Sequence, residues 1–318
     1  MSGFLDGPRA RGAFLLRLVM DPPWSLRVRD RAPLTLVAVV RGQAWIVPDD
    51  ADPQALGPGD VALIRGPGHY TVADDPATAP VVMIDPGQVC TTLDGAGLAE
   101  AMHLGVRSWG NSAHGSTVML TGTYQHEGEI GRKLVDALPI VVVVRRRDWD
   151  SPLVDLLADE IVADGPGQAA VLDRLLDLLL LSALRQWFST PRSSPPSWFG
   201  AHGDPVVGKA LRLMQHHPAH PWTVANLAAE VAVSRATLAR RFHDLVGEPP
   251  VAFLTRWRLA LAADLLVEPG ATVGRVASQV GYGSPFALST AFKRAYGVSP
   301  VQHRQRHDPA RPAPAAAG

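Results

Sequence analysis

At 318 residues the chain is long enough for two domains of ordinary size, and with 47% apolar residues each half can bury a core. The formal charge is zero, but residues 1–202 hold 17 Lys and Arg against 23 Asp and Glu, while residues 203–308 hold 12 against 7, so only the C-terminal part is expected to meet a polyanion. A single cysteine, Cys90, excludes an internal disulfide and argues against a Cys-rich metal site. No apolar leader follows the start MSGFLDGPRARGAF, and the densest apolar run, 175–184, is too short for a bilayer; a cytoplasmic, membrane-free protein is expected.

Residues 13–91 break into short extended runs (FLLRLVM, LTLVAVV, QAWIV, VALI, VVMI) separated by Gly, Pro and Asp, which predicts an antiparallel sandwich or barrel. RGQAWIV followed by LGPGDVALIRGPGHYTV reads as two strand pairs joined by tight turns, with Gly57, Gly59 and Gly68 available for positive φ. The stretch 115–128 is expected to return to the same sheet. LPIVVVV (138–144) reads as a strand or as the end of a helix-to-strand connection.

From Ser151 the apolar period becomes helical. SPLVDLLADEIVADG and GQAAVLDRLLDLLLLSALRQWFS predict two helices, the second apolar around more of its circumference than a surface helix needs. It either lies between the sheet and its partner helix or supplies a self-association face over 152–188. Residues 189–204, rich in Ser, Pro and Gly, read as a linker, 205–306 as all-α, and 307–318 as a disordered tail. The domain expectation is therefore 1–188, 189–204, 205–306 and 307–318.

Within the helical part, VANLAAEVAVSRATLARRFHDLVG and VGRVASQVGYGSPFALSTAFKRAYG repeat one apolar pattern, matching Val224 with Val273, Leu238 with Leu288, Phe242 with Phe292 and Gly247 with Gly297. Thr223 and Ser234 are natural N-caps in the first copy. Thr272 and Ser284, followed by Pro285, take those places in the second. Leu238, Phe242 and Leu245 are expected on one buried face, and Leu288, Phe292 and Ala295 on its counterpart. Two such helices with a short turn form a helix-turn-helix signature. The outer face carries Arg235, Ala236, Ala239, Arg240 and His243 in the first unit, and Pro285, Phe286, Ser289, Thr290 and Lys293 in the second. Small residues let the backbone approach a groove, Arg240 can reach a guanine edge, Phe286 a thymine methyl and Lys293 a phosphate. Residues 249–268 between the units predict one helix of about 30 Å, close to the roughly 34 Å turn of B-DNA.

Residues 205–306 resemble the DNA-binding domain of the AraC/XylS family of bacterial transcription regulators, on the duplicated motif, on RWRLALAADLL and on VASQVGYGSPFALSTAFKRAYGVSPVQHR. The resemblance implies base-reading roles for Ala236, Ala239, Arg240, Pro285, Phe286, Ser289 and Thr290. Many members place arginine where this chain has Thr290. VVRGQAWIV and LGPGDVALIRGPGHYTVADDP likewise resemble the cupin-like regulatory domain at the N-terminus of many such regulators. Cupin enzymes hold a metal with a His-x-His pair, a glutamate and a later histidine. APLTLVAVVRG has neither histidine nor glutamate, His69 stands alone, and His103, His114 and His126 are scattered, so neither metal nor cofactor is expected. Trp24, Trp45, His69 and Tyr70 could line an effector pocket or be ordinary core.

The fold class expected is thus a β-barrel or sandwich with appended helices, followed by an all-α double helix-turn-helix domain. The function expected is a sequence-specific regulator on double-stranded DNA, activator or repressor, with a small-molecule effector, an RNA polymerase contact and a homodimer as further partners. A cupin-fold enzyme with a DNA-binding tail and a protein-binding adapter are the alternatives.

Overall fold

The computed structural model describes residues 13–124, 131–132, 135–190 and 200–306. The expectations for His126, for most of the linker and for the tail 307–318 lie outside them. The chain divides into two compact units, the first made mainly of residues up to 194 and the second of residues from 195 onward.

Among the described residues of the first unit, thirteen strands form two sheets. The seven-stranded sheet contains β1 (Phe14–Met20), β3 (Leu34–Arg41), β6 (Val61–Arg65), β10 (His103–Gly105), β11 (Ser108–Gly110), β12 (Thr117–Tyr124) and β13 (Val141–Val144), in the order β10-β11-β1-β12-β3-β6-β13. The six-stranded sheet contains β2 (Ser25–Val28), β4 (Ala44–Pro48), β5 (Gln54–Leu56), β7 (Tyr70–Ala73), β8 (Val82–Asp85) and β9 (Val89–Thr91), in the order β5-β4-β7-β2-β8-β9. β12 does return to the first sheet, between β1 and β3, and 138–144 supplies an edge strand.

Two departures from expectation have physical reasons. β1 pairs with β11 and β2 with β8 in parallel, because the long excursions between them allow the crossover that parallel pairing needs. VALIR and YTVA do not pair with each other: β6 joins β3 and β13, while β7 joins β2 and β4, so the 66–69 turn carries the chain between sheets. Of Gly57, Gly59 and Gly68, only Gly59 adopts positive φ. The Gly57 turn is organised instead by Asp60, whose Oδ2 accepts the Gly57 N–H at 3.0 Å.

Between the sheets the core is apolar and includes Trp24, Leu26, Ile46, Ile64, Tyr70 and Met119. The opposite face of the large sheet is covered by α1 (Leu153–Val162) and α2 (Gln168–Phe188), which explains why β3 is buried on both sides along most of its length. The fit is close at Gly122 on β12, where a Cβ would stand 2.6 Å from Leu176 Cδ1. The expectation that α2 lies against the sheet and its partner helix thus matches the structure. Leu178, however, remains 48% exposed on its outer side, as does Val171 at 44%.

The second unit holds α3 (Val207–His216), α4 (Val224–Glu230), α5 (Arg235–Val246), α6 (Pro250–Leu266), α7 (Val273–Gln279), α8 (Pro285–Tyr296) and α9 (Pro300–Arg306). Residues 200–204, expected in the linker, pack against α3: Ala201 is buried, and the bare Gly208 lies where a Cβ would stand 2.3 Å from the His202 carbonyl oxygen. The rod α6 has 17 residues, hence a length of about 25 Å, shorter than expected because Pro249, Val267 and Glu268 fall outside it.

Candidate nucleic-acid interface

Each copy of the repeat is built from local signals. Thr223 Oγ1 accepts the Asn226 N–H at 3.2 Å, and the Asn226 side chain returns to the Thr223 N–H at 2.7 Å, a reciprocal cap. Thr272 Oγ1 accepts the Arg275 N–H at 3.2 Å in the second copy. Ser234 and Ser284 cap α5 and α8 by accepting the N–H of Thr237 and Ala287, each at 3.1 Å. Both helices end on a left-handed glycine, Gly247 at φ +85° and Gly297 at φ +73°.

The turns match as well. Ala232 (φ +55°) and Gly281 (φ +81°) occupy the same repeat position and both adopt left-handed backbone. At Gly281 glycine is obligatory for a second reason: a Cβ would meet Ala219 Cα at 2.8 Å and Arg258 Nη2 at 2.9 Å. One extra residue between Gly281 and Ser284 is absorbed before α8 begins.

The buried stripe differs from expectation at its last step. Leu238, Phe242 and Val246 are buried on α5, with Leu245 only half-buried. On α8, Leu288 and Phe292 are followed by Tyr296, while Ala295 is exposed. Contact with a single crossing rod favours strict four-residue steps. Phe242 meets Phe253 of α6 edge-on at 5.7 Å, and Phe292 packs with Leu259, Ala263 and Leu266 further along the same rod. One helix therefore carries one unit at each end.

Two side chains unforeseen from sequence hold this frame. Asp204 Oδ1 accepts the N–H of Val206 and Val207, both at 2.9 Å, while Oδ2 accepts Arg241 Nη2 at 2.6 Å and Nε at 3.0 Å. Burial pushes its carboxyl up, but the Val207 N–H, the Arg241 guanidinium and the Val206 N–H together bring it below the ordinary carboxylate range. Arg258 on α6 donates to the carbonyls of Pro218 at 2.7 Å and His220 at 2.8 Å, and burial lowers its own pKa.

With the inner faces so engaged, the outer faces are open. Arg235, Ala236, Arg240 and His243 on α5 are exposed and Ala239 is half-exposed; on α8, Pro285, Thr290 and Lys293 are exposed and Ser289 is half-exposed. Phe286 is 80% exposed, unusual for a phenylalanine on a folded helix. Arg240 and Lys293 enter no ion pair among the described residues, whereas Arg241, one position on, is committed to Asp204.

In the first unit the four tentative effector residues separate. Trp24 is fully buried in the core and Trp45 is half-exposed between the inward-facing Ala44 and Ile46. His69 and Tyr70 do come together, lining a cavity of about 220 Å³ with Ile64, Arg65 and Ile140. Burial, aided by Asp30, raises the Tyr70 phenol against the opposing Thr35 hydrogen bond. His103 and His114 are exposed. No group of three or more His, Cys, Asp or Glu side chains is placed to hold a metal among the described residues. The Cys90 thiol is pushed up by burial, which disfavours the reactive thiolate.

A helix-turn-helix duplicated along one rod, with its basic and small side chains facing outward, defines a DNA-binding class of protein that carries two such units on a single chain. Residues 1–189 match the family described as Cupin, and residues 227–306 match a helix-turn-helix domain. A Streptomyces lividans protein named as an AraC-like transcription regulator is 34% identical over 93% of this chain and 95% of its own length. The HTH-type transcriptional regulator AlkR of Acinetobacter baylyi is 29% identical over 89% of this chain and 91% of that one. Among solved structures, the DNA-binding domain of the global transcriptional factor AdpA, in complex with a target DNA, is 33% identical over 33% of this chain and 94% of that one, with a TM-score of 0.32.

This chain belongs to the AraC-like transcription regulators. It is a DNA-binding regulator whose N-terminal part is a cupin domain and whose C-terminal part is the helix-turn-helix module. No helix among the described residues is long and apolar enough to cross a membrane.

Proposed function

We propose that α5 and α8 are the two base readers, that they enter successive major grooves of one operator, and that an effector bound by the N-terminal domain controls the outcome. The observation that carries this reading is the equivalence of the two helices: the same caps, the same left-handed turn position and the same uncovered face, set on two ends of one rod. Arg240 is the guanine reader of the first helix, since its planar fork is free and projects beside the small Ala236 and Ala239. Arg235 and His243 flank it. On α8, Phe286 offers an apolar edge to a thymine methyl, Pro285, Ser289 and Thr290 make the close approach, and Lys293 neutralises a phosphate.

The domains assigned are 1–188 for regulation, 189–199 for connection and 200–306 for DNA binding, the boundary moved from 204 because Ala201 and Asp204 belong to the helical unit, with the protein working in the cytoplasm and passing the signal to RNA polymerase. The exposed Val171 and Leu178 of α2 support a homodimer contact. A binding rather than an enzymatic role for the cupin domain is supported by its core, where Trp24, Leu26 and Ile46 fill the space between the sheets.

Footprinting of the full chain tests the central reading. Arg240→Ala is expected to weaken the protected site by about 1–3 kcal/mol and to relax its sequence, leaving random DNA nearly unaffected. Equal loss on both would make Arg240 a phosphate anchor, and protection of no defined sequence by the unmodified protein would remove the reading altogether.

A further inference from the structure

The two helix-turn-helix copies meet each other directly as well as through the rod, at a place built around one side chain. Arg258 is the middle residue of α6, set between the buried Trp257 and Leu259. A half-buried cation needs acceptors, yet Arg258 enters no ion pair among the described residues. Its guanidinium instead spans two backbone carbonyls of the loop between α3 and α4: Nε donates to Pro218 at 2.7 Å and Nη2 to His220 at 2.8 Å. Holding two fixed carbonyls at once suits the planar fork of arginine better than the point charge of lysine.

That loop is stiff in its own right. The His217 carbonyl accepts the His220 N–H at 3.1 Å and Trp222 Nε1 at 3.0 Å, and the His220 carbonyl also accepts the Trp222 N–H at 2.8 Å. The rings of His220 and Trp222 lie 4.1 Å apart. The loop runs straight into Thr223, the cap of α4, so it belongs to the first copy.

The turn of the second copy packs against the same loop. A Cβ at Gly281 would lie 2.9 Å from the Ala219 carbonyl oxygen and equally close to Arg258 Nη2, so bare backbone meets bare backbone beside the guanidinium. The adjacent Tyr282 packs into the core of the second copy, where burial raises its phenol and the nearby Arg258 charge opposes that rise. Rod, loop and turn therefore close a triangle. A rod alone fixes the distance between two bodies seated along it, but each could still roll on its own seat. A direct contact between the two bodies removes that freedom.

We infer that Arg258 is a positioning residue for operator recognition: by locking the 217–222 loop to the rod beside the 281–282 turn, it holds α5 and α8 in one relative orientation and restricts the protein to operators of one half-site spacing. One base pair more or less moves a half-site by about 3.4 Å and turns it by about 35°, more than two locked helices can follow. The spacing rule rests on the two-reader proposal above, whereas the fixed orientation can be measured without DNA.

Nitroxide labels on Asp244→Cys in α5 and Ala295→Cys in α8, both exposed positions, in a Cys90→Ser background, report that orientation by double electron–electron resonance on the full chain. With Arg258 present the distance distribution should be narrow, and Arg258→Met should widen it by about twofold or more. A distribution that stays narrow in Arg258→Met, or one already broad with Arg258 in place, would overturn the inference. On DNA, adding one base pair between the two footprinted segments should weaken binding of the unmodified protein by about tenfold or more, a penalty that should shrink to about threefold or less in Arg258→Met. A variant that binds every duplex more weakly but keeps the full penalty would show a merely structural role and overturn the positioning one. Equal binding of the two duplexes by the unmodified protein would overturn the spacing rule without any variant having to fold. Protection of a single segment would overturn the two-reader proposal and the spacing rule together, even with label distances as expected; two protected segments with unchanged label widths would overturn the role of Arg258 alone.

Discussion

Asp204→Ala is the perturbation whose size can be worked most directly from the structure. The side chain caps the start of α3 through two backbone N–H groups and grips Arg241 of α5 through two more donors. Loss of a cap costs about 1 kcal/mol. A charge-assisted pair is worth about 1.5–3 kcal/mol when buried, but the Arg241 side chain is 43% exposed, so roughly 1 kcal/mol is the appropriate figure. The sum is about 2 kcal/mol, which for a unit of this size lowers the melting point by roughly 10 °C. Scanning calorimetry of the full chain measures it, with the helical unit's transition recognised as the one that operator DNA raises. Arg241→Ala should cost about half as much, since Asp204 keeps its backbone donors, and the two changes together should cost less than their sum by about 1 kcal/mol. Strict additivity would show that the pair does not tie α5 to α3.

The pair also predicts a pH dependence. Because the Asp204 carboxyl is held below its ordinary value, its contribution is fully present at neutral pH and is lost as pH falls below about 5 toward the depressed value; Asp204→Asn should flatten this part of the calorimetric profile. At the shared turn position the two copies should respond in opposite senses. Gly281→Ala, which forces a side chain against Ala219 in left-handed backbone, should destabilise by about 2 kcal/mol or more, whereas Ala232→Gly should be neutral or stabilising by up to about 1 kcal/mol. A matched loss in both variants would mean that the turns are not equivalent.

How much was legible follows the range of the forces involved. Thr223, Ser234, Thr272 and Ser284 were readable as caps because a cap is satisfied within three residues. The buried stripe was readable in outline and missed at Leu245 and Ala295, because its last step depends on the angle of a rod elsewhere in the chain. Trp24 and Trp45 could not be separated by composition; the alternation of Ala44, Trp45 and Ile46 was the available signal, and it points Trp45 outward. β9, β10 and β11 were not legible because each is only three residues long, too short for an alternating pattern; β9 and β10 pair with their chain neighbours β8 and β11, while β11 also reaches the distant β1. Asp204 was read as linker because its charged partner, Arg241, lies 37 residues further along the chain.

The unbroken course of α6 has a consequence for how such a protein can diversify. A continuous helix is a torsional gauge as well as a spacer: adding or removing one residue turns everything beyond it by about 100° while shifting it only about 1.5 Å. A single-codon insertion in 250–266 would therefore rotate α8 by about 100° relative to α5, although the change in length is trivial. New operator preferences can accumulate freely on the outer surfaces of α5 and α8, but the rotational phase between them is inherited as one piece.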